Sequence, residues 1–308
     1  MRKTQPARTR RQFLGSLSMT LVGSSLALSR RTAFASPLGL SLGLQLYSVR
    51  DMLANDYLGT LKQVSSLGYR EVEAAGFFGH TPEQVKRAMS TAGLSLVSAH
   101  YSSHDLISSF DENLAFAKAL GLKYMICSFP GIKQSARLKD PSFATQVQSF
   151  TLEDYRWNAG NFNAWGRKVK AAGMQFGYHN HTMEFAPQDG VIPFDELVRL
   201  TDPELVTFEM DCGWVIVGGG DPVAYLERYP TRISMLHVKD FKAAAKPATV
   251  ITPPPAAELG RGTLDYLKVF KAARKGSLRH YFVEQEAFDM PPYEALRIDA
   301  QYMQKLKV

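Results

Sequence analysis

The sequence has few of the residues that build covalent or cofactor-binding frameworks. Only Cys127 and Cys212 are cysteines among 308 residues, so a disulfide framework is excluded. Both end short apolar runs, where a cysteine is expected to pack as a small buried hydrophobic residue. No Gly-x-Gly-x-x-Gly string follows the first predicted strand, which argues against a dinucleotide-binding fold.

Long apolar runs are also missing. The stretch Leu14 to Leu28 is diluted by Gly and Ser, and a membrane anchor needs about 18 or more predominantly apolar residues. Thr9-Arg10-Arg11-Gln12-Phe13-Leu14 matches the twin-arginine export pattern, and Ala33-Phe34-Ala35 supplies a cleavage site. We therefore expect residues 1–35 to be an export signal without a stable membrane anchor, and residues 36–308 to be periplasmic or secreted. The alternative is a disordered basic N terminus.

The excess of positive charge belongs to this leader. The chain holds 36 basic and 29 acidic residues, a net charge of +7. Residues 1–35 contain seven of the basic residues and none of the acidic ones, which leaves 29 of each in the remainder. A neutral body lacks the basic patch of a nucleic-acid-binding protein. We expect a small-molecule partner and no nucleic acid, with either a monomer or an oligomer compatible with the composition.

Residues 36–308 alternate between strand-like and helix-like segments. Eight such β-then-α units predict a closed (β/α)8 TIM barrel, an α/β fold in a single domain, over an open doubly wound sheet. Polar, irregular insertions are expected at 130–150 and 242–258. The predicted strands are 42–48, 69–74, 94–100, 123–128, 174–179, 205–211, 233–239 and 280–285.

The last four strands end at ionisable residues. The strings are Phe176-Gly-Tyr-His-Asn-His-Thr-Met-Glu184, Phe208-Glu-Met-Asp211, Met235-Leu-His-Val-Lys-Asp240 and Tyr281-Phe-Val-Glu284. Because side chains alternate between the two faces of a strand, residues two positions apart point to the same face. Each string therefore offers two candidates whose side chains point the same way, such as Glu209 and Asp211. The carboxyl ends of barrel strands carry the chemistry. Three carboxylates and one imidazole there predict a site for Mn²⁺, Mg²⁺, Co²⁺ or Zn²⁺; the alternative is a set of salt bridges that caps the barrel.

These strings resemble the xylose isomerase-like barrel family of sugar (phosphate) isomerases and epimerases, which includes inosose dehydratases and an apurinic endonuclease branch. The resemblance covers the whole mature chain. It is most specific at His-Asn-His-x-x-Glu-Phe and His-Val-Lys-Asp. The matching pieces start at Gly43, Leu67, Tyr178, Met210, Leu236, Gly260 and Val283.

The resemblance implies metal ligands at Glu184, Asp211, His237 and Glu284. Relatives in the epimerase branch carry a glutamate within the fifth strand, where this chain has Tyr178, His179 or His181, so His181 is an alternative ligand. In the xylose isomerase branch the glutamate follows a short loop, which favours Glu184.

Further polar residues are predicted to contact substrate. His100 lies at the end of the third strand and Glu73 at the end of the second, so each is a candidate substrate-binding or acid–base group; a capping role is the alternative. Lys239 is two residues beyond His237 and is predicted to bond a substrate oxygen. Trp214, close after Asp211, offers an aromatic floor for a sugar ring or a packing residue.

The leading hypothesis is a metal-dependent isomerase or epimerase of a free sugar, keto-sugar or cyclitol, working through an enediolate. Glu184 and Glu284 form the expected proton-transfer pair, with His179 or His181 as alternative base. The same site also suits a dehydratase or a 3-keto-glycoside lyase or hydrolase. A third hypothesis is a periplasmic sugar-binding barrel without turnover; a zinc endonuclease is disfavoured by the neutral body.

Overall fold

Eight parallel strands close into a barrel, which confirms the predicted fold class. The strand order around the barrel is β1-β10-β7-β6-β5-β4-β3-β2. The computed structural model describes Met1 and residues 36–138, 140, 142–244 and 248–308. The predicted export signal, apart from Met1, lies outside the described residues.

The barrel strands are β1 (Gly43–Gln45), β2 (Glu71–Ala74), β3 (Ser95–Ser102), β4 (Tyr124–Phe129), β5 (Gln175–His179), β6 (Val206–Asp211), β7 (Ile233–Val238) and β10 (His280–Val283). A small antiparallel ribbon above them pairs β8 (Asp240–Phe241) with β9 (Ala256–Ala257). The described helices are α1 (Arg50–Asn55), α2 (Tyr57–Ser66), α3 (Pro82–Ala92), α4 (Ser103–Ser108), α5 (Phe110–Leu120), α6 (Phe143–Ser149), α7 (Leu152–Ala171), α8 (Pro193–Leu200), α9 (Cys212–Val217), α10 (Pro222–Arg228), α11 (Tyr266–Ala273) and α12 (Pro292–Lys305).

Local sequence signals fix the ends of the helices. Thr81 caps α3 through a reciprocal bond with Gln84, which satisfies backbone N–H groups that lack a partner within the helix. Gly93 ends α3 with a φ of 70°, a left-handed conformation that costs glycine little. Thr151 and Asp154 form the same kind of cap at the start of α7. Each helix therefore begins and ends where it can pack against its strand.

The largest differences from the prediction lie in the first strand and in the two insertions. The strand expected over 42–48 stops at Gln45, because the Gln45 side chain accepts a bond from the Tyr47 backbone and starts a 3-10 helix. The insertion at 130–150 contains α6, which Ser142 caps by accepting from the Thr145 backbone. The insertion at 242–258 contributes one strand of the ribbon.

The barrel axis is filled by side chains and is closed below the polar end. Val97, Ile126, Met235 and Phe282 form a separate fully buried cluster inside the barrel. The larger apolar core lies between the strands and the surrounding helices. The interior apolar layer thus forms a floor, and polar side chains collect above it at the carboxyl ends of the strands. Among the described residues no helix has both the length and the apolar character to cross a bilayer.

Candidate metal and substrate site

Strand register brings three predicted ligands together at the carboxyl end of the barrel. Asp211 on β6 pairs with His237 on β7, and His237 pairs with Phe282 on β10, two residues before Glu284. His237 Nδ1 lies 3.0 Å from Glu284 Oε2 and 3.8 Å from Asp211 Oδ2. The ligand atoms of all three residues lie within 4.8 Å of one another, and all three side chains are buried. We call these three residues the outer acidic triad.

This donor set fits a hard or borderline divalent cation. Two carboxylates and one imidazole nitrogen are groups that Mn²⁺, Mg²⁺, Co²⁺ and Zn²⁺ accept, and waters or substrate oxygens would complete the coordination. Burial makes isolated carboxylates costly, so a cation is needed among them. Burial raises the pKa of Asp211 to about 6, although Lys239 and His237 oppose that shift.

Lys239 supplies a cation from within the chain. Its Nζ lies 3.1 Å from Asp211 Oδ2 and 2.8 Å from Glu284 Oε2, and it also bonds the Glu286 carboxylate. The same ammonium lies 4.5 Å from the ring centroid of Trp214. Burial disfavours the charge, but Asp211, Glu284 and Glu286 outweigh burial and raise the pKa of Lys239 above its usual value. Lys239 is therefore a buried ammonium shared by three carboxylates.

A second group of side chains lies behind the triad. We call it the inner histidine cluster, and it consists of Glu73, His100, His179, Glu209 and His237. Glu209 Oε2 lies 2.7 Å from His100 Nε2, 3.2 Å from His179 Nδ1 and 3.2 Å from His237 Nε2. Glu73 Oε1 lies 2.9 Å from His100 Nε2 and 2.8 Å from His237 Nε2. His237 thus belongs to both groups and presents one ring nitrogen to each.

The pKa values of the two other histidines of the cluster are shifted in opposite directions. Burial disfavours the charge of His100, but Glu73 and Glu209 outweigh it and raise its pKa to about 9. Burial and the neighbouring His237 lower the pKa of His179 to about 3, against the pull of Glu209. Their ring centroids are only 4.9 Å apart. At neutral pH the cluster therefore presents a charged imidazole beside an uncharged one.

Two carboxylates hold the ring of His237 on the side that faces away from the other triad residues. Its Nε2 contacts the carboxylates of Glu73 and Glu209, while Nδ1 faces the triad. A histidine that binds a metal commonly donates its other ring N–H to a carboxylate, which fixes the ring and its tautomer. Gln45 also donates to Glu73 Oε1 at 2.7 Å. The cluster therefore supports the imidazole that faces the triad.

Glu184 lies apart from both groups. Its carboxylate accepts hydrogen bonds from the Tyr178 hydroxyl and, at 3.0 Å, from the His181 backbone N–H. Tyr178 points away from the barrel axis, since its ring stacks on Phe162 of α7 at 4.9 Å. The expectation that Glu184 joins the other ligands, or pairs with Glu284 in proton transfer, is corrected by this geometry. Burial raises the pKa of Glu184 to about 7.

His181, the alternative to Glu184, faces the cavity. Its Nδ1 is buried and has no hydrogen-bond partner among the described residues. Its ring lies 5.1 Å from that of His179 and 6.2 Å from that of Trp214, which is buried and packs on Phe241 at 5.0 Å. Burial lowers the pKa of His181 well below its usual value. A neutral nitrogen without a partner among the described residues therefore lies in the wall of the cavity that Glu284 also lines.

A cavity of about 640 Å³ opens above these groups. Its lining includes His100, His179, His181 and Glu284, so both groups are reached from one opening. The other lining residues lie at or beyond the carboxyl ends of β1, β2, β3, β4, β7 and β10; they include Tyr47, Gly76, Ser102, Phe129, Phe143, Val250 and Glu286. The cavity lies at the end of the barrel where the loops gather, as expected for this fold.

Glu209 and Gln45 belong to the site; Glu209 was predicted only to point the same way as Asp211, and Gln45 was not predicted. Glu209 is two residues before Asp211, on the same face of β6 and one step deeper in the barrel. That alternation was the available signal. Gln45 lies at the end of β1, directly opposite Glu73 in the β1–β2 register. Its contact depends on the register between β1 and β2, which no local pattern indicates.

Known proteins resemble this chain over most of its length. A family profile described as xylose isomerase-like TIM barrel matches residues 61–306. An inosose dehydratase of Geobacillus thermodenitrificans is 26% identical over 273 residues, which cover 80% of this chain and 88% of that protein. An inosose dehydratase of Lacticaseibacillus casei is 23% identical over 259 residues, 76% of this chain and 84% of that protein. The crystal structure of a sugar phosphate isomerase/epimerase from Parabacteroides distasonis superposes with a TM-score of 0.68 at 26% identity, covering 86% of this chain and 97% of that one.

Proposed function

We propose, because this chain belongs to the xylose isomerase-like TIM barrel family, that it is a divalent-metal-dependent isomerase or epimerase of a free sugar, keto-sugar or cyclitol. The observation that carries the proposal is the outer acidic triad, of which Glu284 lines the cavity. The two inosose dehydratases and the sugar phosphate isomerase/epimerase are named for reactions of cyclitols and sugars. These names support the substrate class.

The proposed metal ligands are Asp211, His237 and Glu284, with His181 in the fourth position. The partnerless Nδ1 of His181 supports this choice over Glu184, whose carboxylate is held by Tyr178. A divalent ion bound there would polarise a substrate carbonyl. The carboxylates and the imidazole fix where that carbonyl lies relative to the other cavity residues.

Two histidines are the proposed proton carriers. His179 is oriented by Glu209 through Nδ1, which leaves its other nitrogen for a substrate proton. His100 is held between Glu73 and Glu209 and lines the same cavity. We assign proton removal beside the carbonyl to His179 and proton return to His100. Lys239 and Trp214 are buried and are not among the described residues that line the cavity. We therefore assign them to the support of the triad, through the ion pairs of Lys239 and its contact with the Trp214 ring, and not to substrate contact.

A second candidate function is elimination of water or of a glycosidic leaving group. Removal of the proton beside a carbonyl is the first step of both reactions. A cationic imidazole such as His100 can donate a proton to a leaving oxygen. The inosose dehydratase names of the two relatives favour this candidate. The two candidates share proton removal and differ only in the later step, which is proton return in one and loss of the leaving group in the other.

The test combines metal analysis with substrate turnover in deuterated water. The purified protein, loaded in turn with Mn²⁺, Mg²⁺, Co²⁺ and Zn²⁺, is incubated with a panel of sugars, keto-sugars and inososes. Deuterium in an isomeric product indicates isomerisation or epimerisation, whereas loss of water or of an aglycone indicates elimination. Absence of deuterium uptake and of product with every ion would contradict both candidates.

Two variants connect turnover to the triad. Glu284→Gln removes a proposed ligand and should lose both bound metal and turnover while the circular dichroism spectrum is kept. Glu71→Gln is the matched control, since Glu71 also bonds a histidine, His280, at 2.7 Å, but at the opposite end of the barrel. Full metal content in Glu284→Gln would remove Glu284 from the site.

We also propose that the protein acts outside the cytoplasm. The twin-arginine string at Thr9–Leu14 and the cleavage site at Ala33–Ala35 support export. Because twin-arginine export carries folded proteins, the metal would be loaded before export.

A further inference from the structure

One wall of the cavity is a continuous strip of aromatic rings. Phe143 of α6 lies 5.3 Å from Phe129 at the end of β4, measured between ring centroids. Phe129 in turn lies 5.6 Å from His181. These separations are within the range of direct aromatic contact. We call Phe143 and Phe129 the aromatic strip; it leads from the cavity opening to the ring beside the outer acidic triad.

The outer end of the strip is unusually exposed for its residue type. Phe143 is 49% exposed, and Tyr47, on the other side of the opening, is 40% exposed. None of the residues of α6, all of them described, is buried, so this short helix contributes little to the core. Covering an apolar ring that faces water on a cavity wall is favourable, so the ring stabilises the binding of a ligand that covers it.

The size of the cavity exceeds what a single sugar ring fills. Ligand cavities of roughly 300–1,000 Å³ take drug-sized molecules, and this one measures about 640 Å³. Under the proposed function the sugar lies at the inner end of the cavity, next to Glu284 of the triad, which leaves the outer part of the cavity for a second group. Ser102, Asp105 and Ser128 line the cavity as well, so that second group meets polar side chains in addition to the strip.

We propose that the aromatic strip binds an apolar or aromatic aglycone, so that the substrate is a glycoside with its sugar ring at the triad. The inference rests on the proposed function and narrows its substrate class to keto-sugars that carry such an aglycone. Phe143 is then a specificity-determining residue that contacts the aglycone and not the reacting carbons.

Binding of non-reacting probes to the metal-loaded protein tests this assignment. The probes are p-nitrophenyl β-D-glucoside, methyl β-D-glucoside and cellobiose, measured by isothermal titration calorimetry. We expect the aryl glucoside to bind about tenfold more tightly than the methyl glucoside, because stacking on a rigid ring adds to the apolar area covered. Phe143→Ala should remove that preference, and Phe143→Tyr, which keeps the ring, should retain it.

Ile107→Ala is the matched control, since Ile107 is a 57% exposed apolar residue that does not line this cavity. It should leave the preference unchanged. Equal affinity for the aryl and methyl glucosides, no measurable binding of the aryl glucoside, or a preference that survives Phe143→Ala would overturn the proposal. Tighter binding of cellobiose than of the aryl glucoside would also overturn it, in favour of a second sugar.

Glu284→Gln separates this inference from the proposed function. If the triad holds the sugar through a metal, that variant weakens all probes and leaves their ratio unchanged. An aryl preference that depends on Phe143 in a protein indifferent to Glu284→Gln would support the strip and contradict the metal site.

Discussion

Replacing Lys239 by methionine tests whether its ammonium holds the outer acidic triad together. The substitution keeps an unbranched side chain, one heavy atom shorter, and removes the charge. It leaves the carboxylates of Asp211, Glu284 and Glu286 without the cation that now lies within 3.1 Å of the first two. Asp211 is fully buried and Glu284 is only 7% exposed, so water replaces the lost partner only in part.

The expected effect is large. Removing one partner of a buried ion pair costs about 3–5 kcal/mol. In a domain of this size each kcal/mol corresponds to roughly 2–4 °C in the melting temperature, so we expect a decrease of about 10 °C in metal-free buffer. The assay is thermal unfolding followed by circular dichroism at about pH 8, where unpaired carboxylates are ionised. Added Mn²⁺ or Co²⁺ should restore much of the loss, because a divalent ion neutralises the same oxygens.

Lys242→Met provides the control. Lys242 bonds Asp289 at 2.6 Å, but its side chain is 51% exposed, so solvent screens the pair and the melting temperature should hardly change. If Lys239→Met melts like the wild type without metal, the carboxylates do not depend on the ammonium, and the electrostatic account of the triad is refuted.

Three further predictions concern single positions or pairs. Glu184→Gln should keep full metal content while His181→Ala lowers it, because Glu184 bonds Tyr178 and not the triad; metal loss in Glu184→Gln alone would contradict the assignment of His181. Burial, with Glu258 and Asp240, raises the pKa of Asp299 from 3.8 to about 7. Between these two pH values the folded protein retains a proton that the unfolded chain has released, so the folded state loses stability as the pH rises. Asp299→Asn should therefore exceed the wild type in urea-unfolding free energy by at most about 4 kcal/mol near pH 8 and match it near pH 4; an equal difference at both pH values would be inconsistent with this. Replacing Arg10 and Arg11 by lysine should leave the uncleaved precursor in the cytoplasm, as seen by fractionation and immunoblotting, and undiminished export would argue against a twin-arginine signal.

The barrel was predictable because its signals are local. Apolar runs of strand length, separated by capped helices, were sufficient to predict all eight barrel strands. The first strand was overextended, since the side-chain bond from Gln45 that ends it has no signature in apolar spacing. The helix α6 was missed for a related reason, because a helix without buried residues has no apolar face to read.

The site was predictable only where strand alternation determines direction. Asp211 and His237 lie on strands, and Glu284 directly follows one, so their convergence follows from the pleat and the closed barrel. Glu184 follows a loop and sits in a 3-10 helix at Met183–Phe185. There the direction of a side chain depends on backbone angles that no periodic pattern supplies. The position of the Glu184 carboxylate is then set by the hydrogen bond from Tyr178, a β5 residue whose side chain points away from the barrel axis.

The double engagement of His237 links distant parts of the chain to ligand geometry. Its ring is held by Glu73, which Gln45 holds in turn, so strands from the beginning of the barrel steady a side chain near its end. Replacing Gln45 or Glu73 would remove this support, so the imidazole would tilt. Binding of an ion by His237 would then weaken although neither replaced residue contacts the ion. At the proposed metal site, affinity for an ion would therefore depend on how well the first and last thirds of the polypeptide pack together.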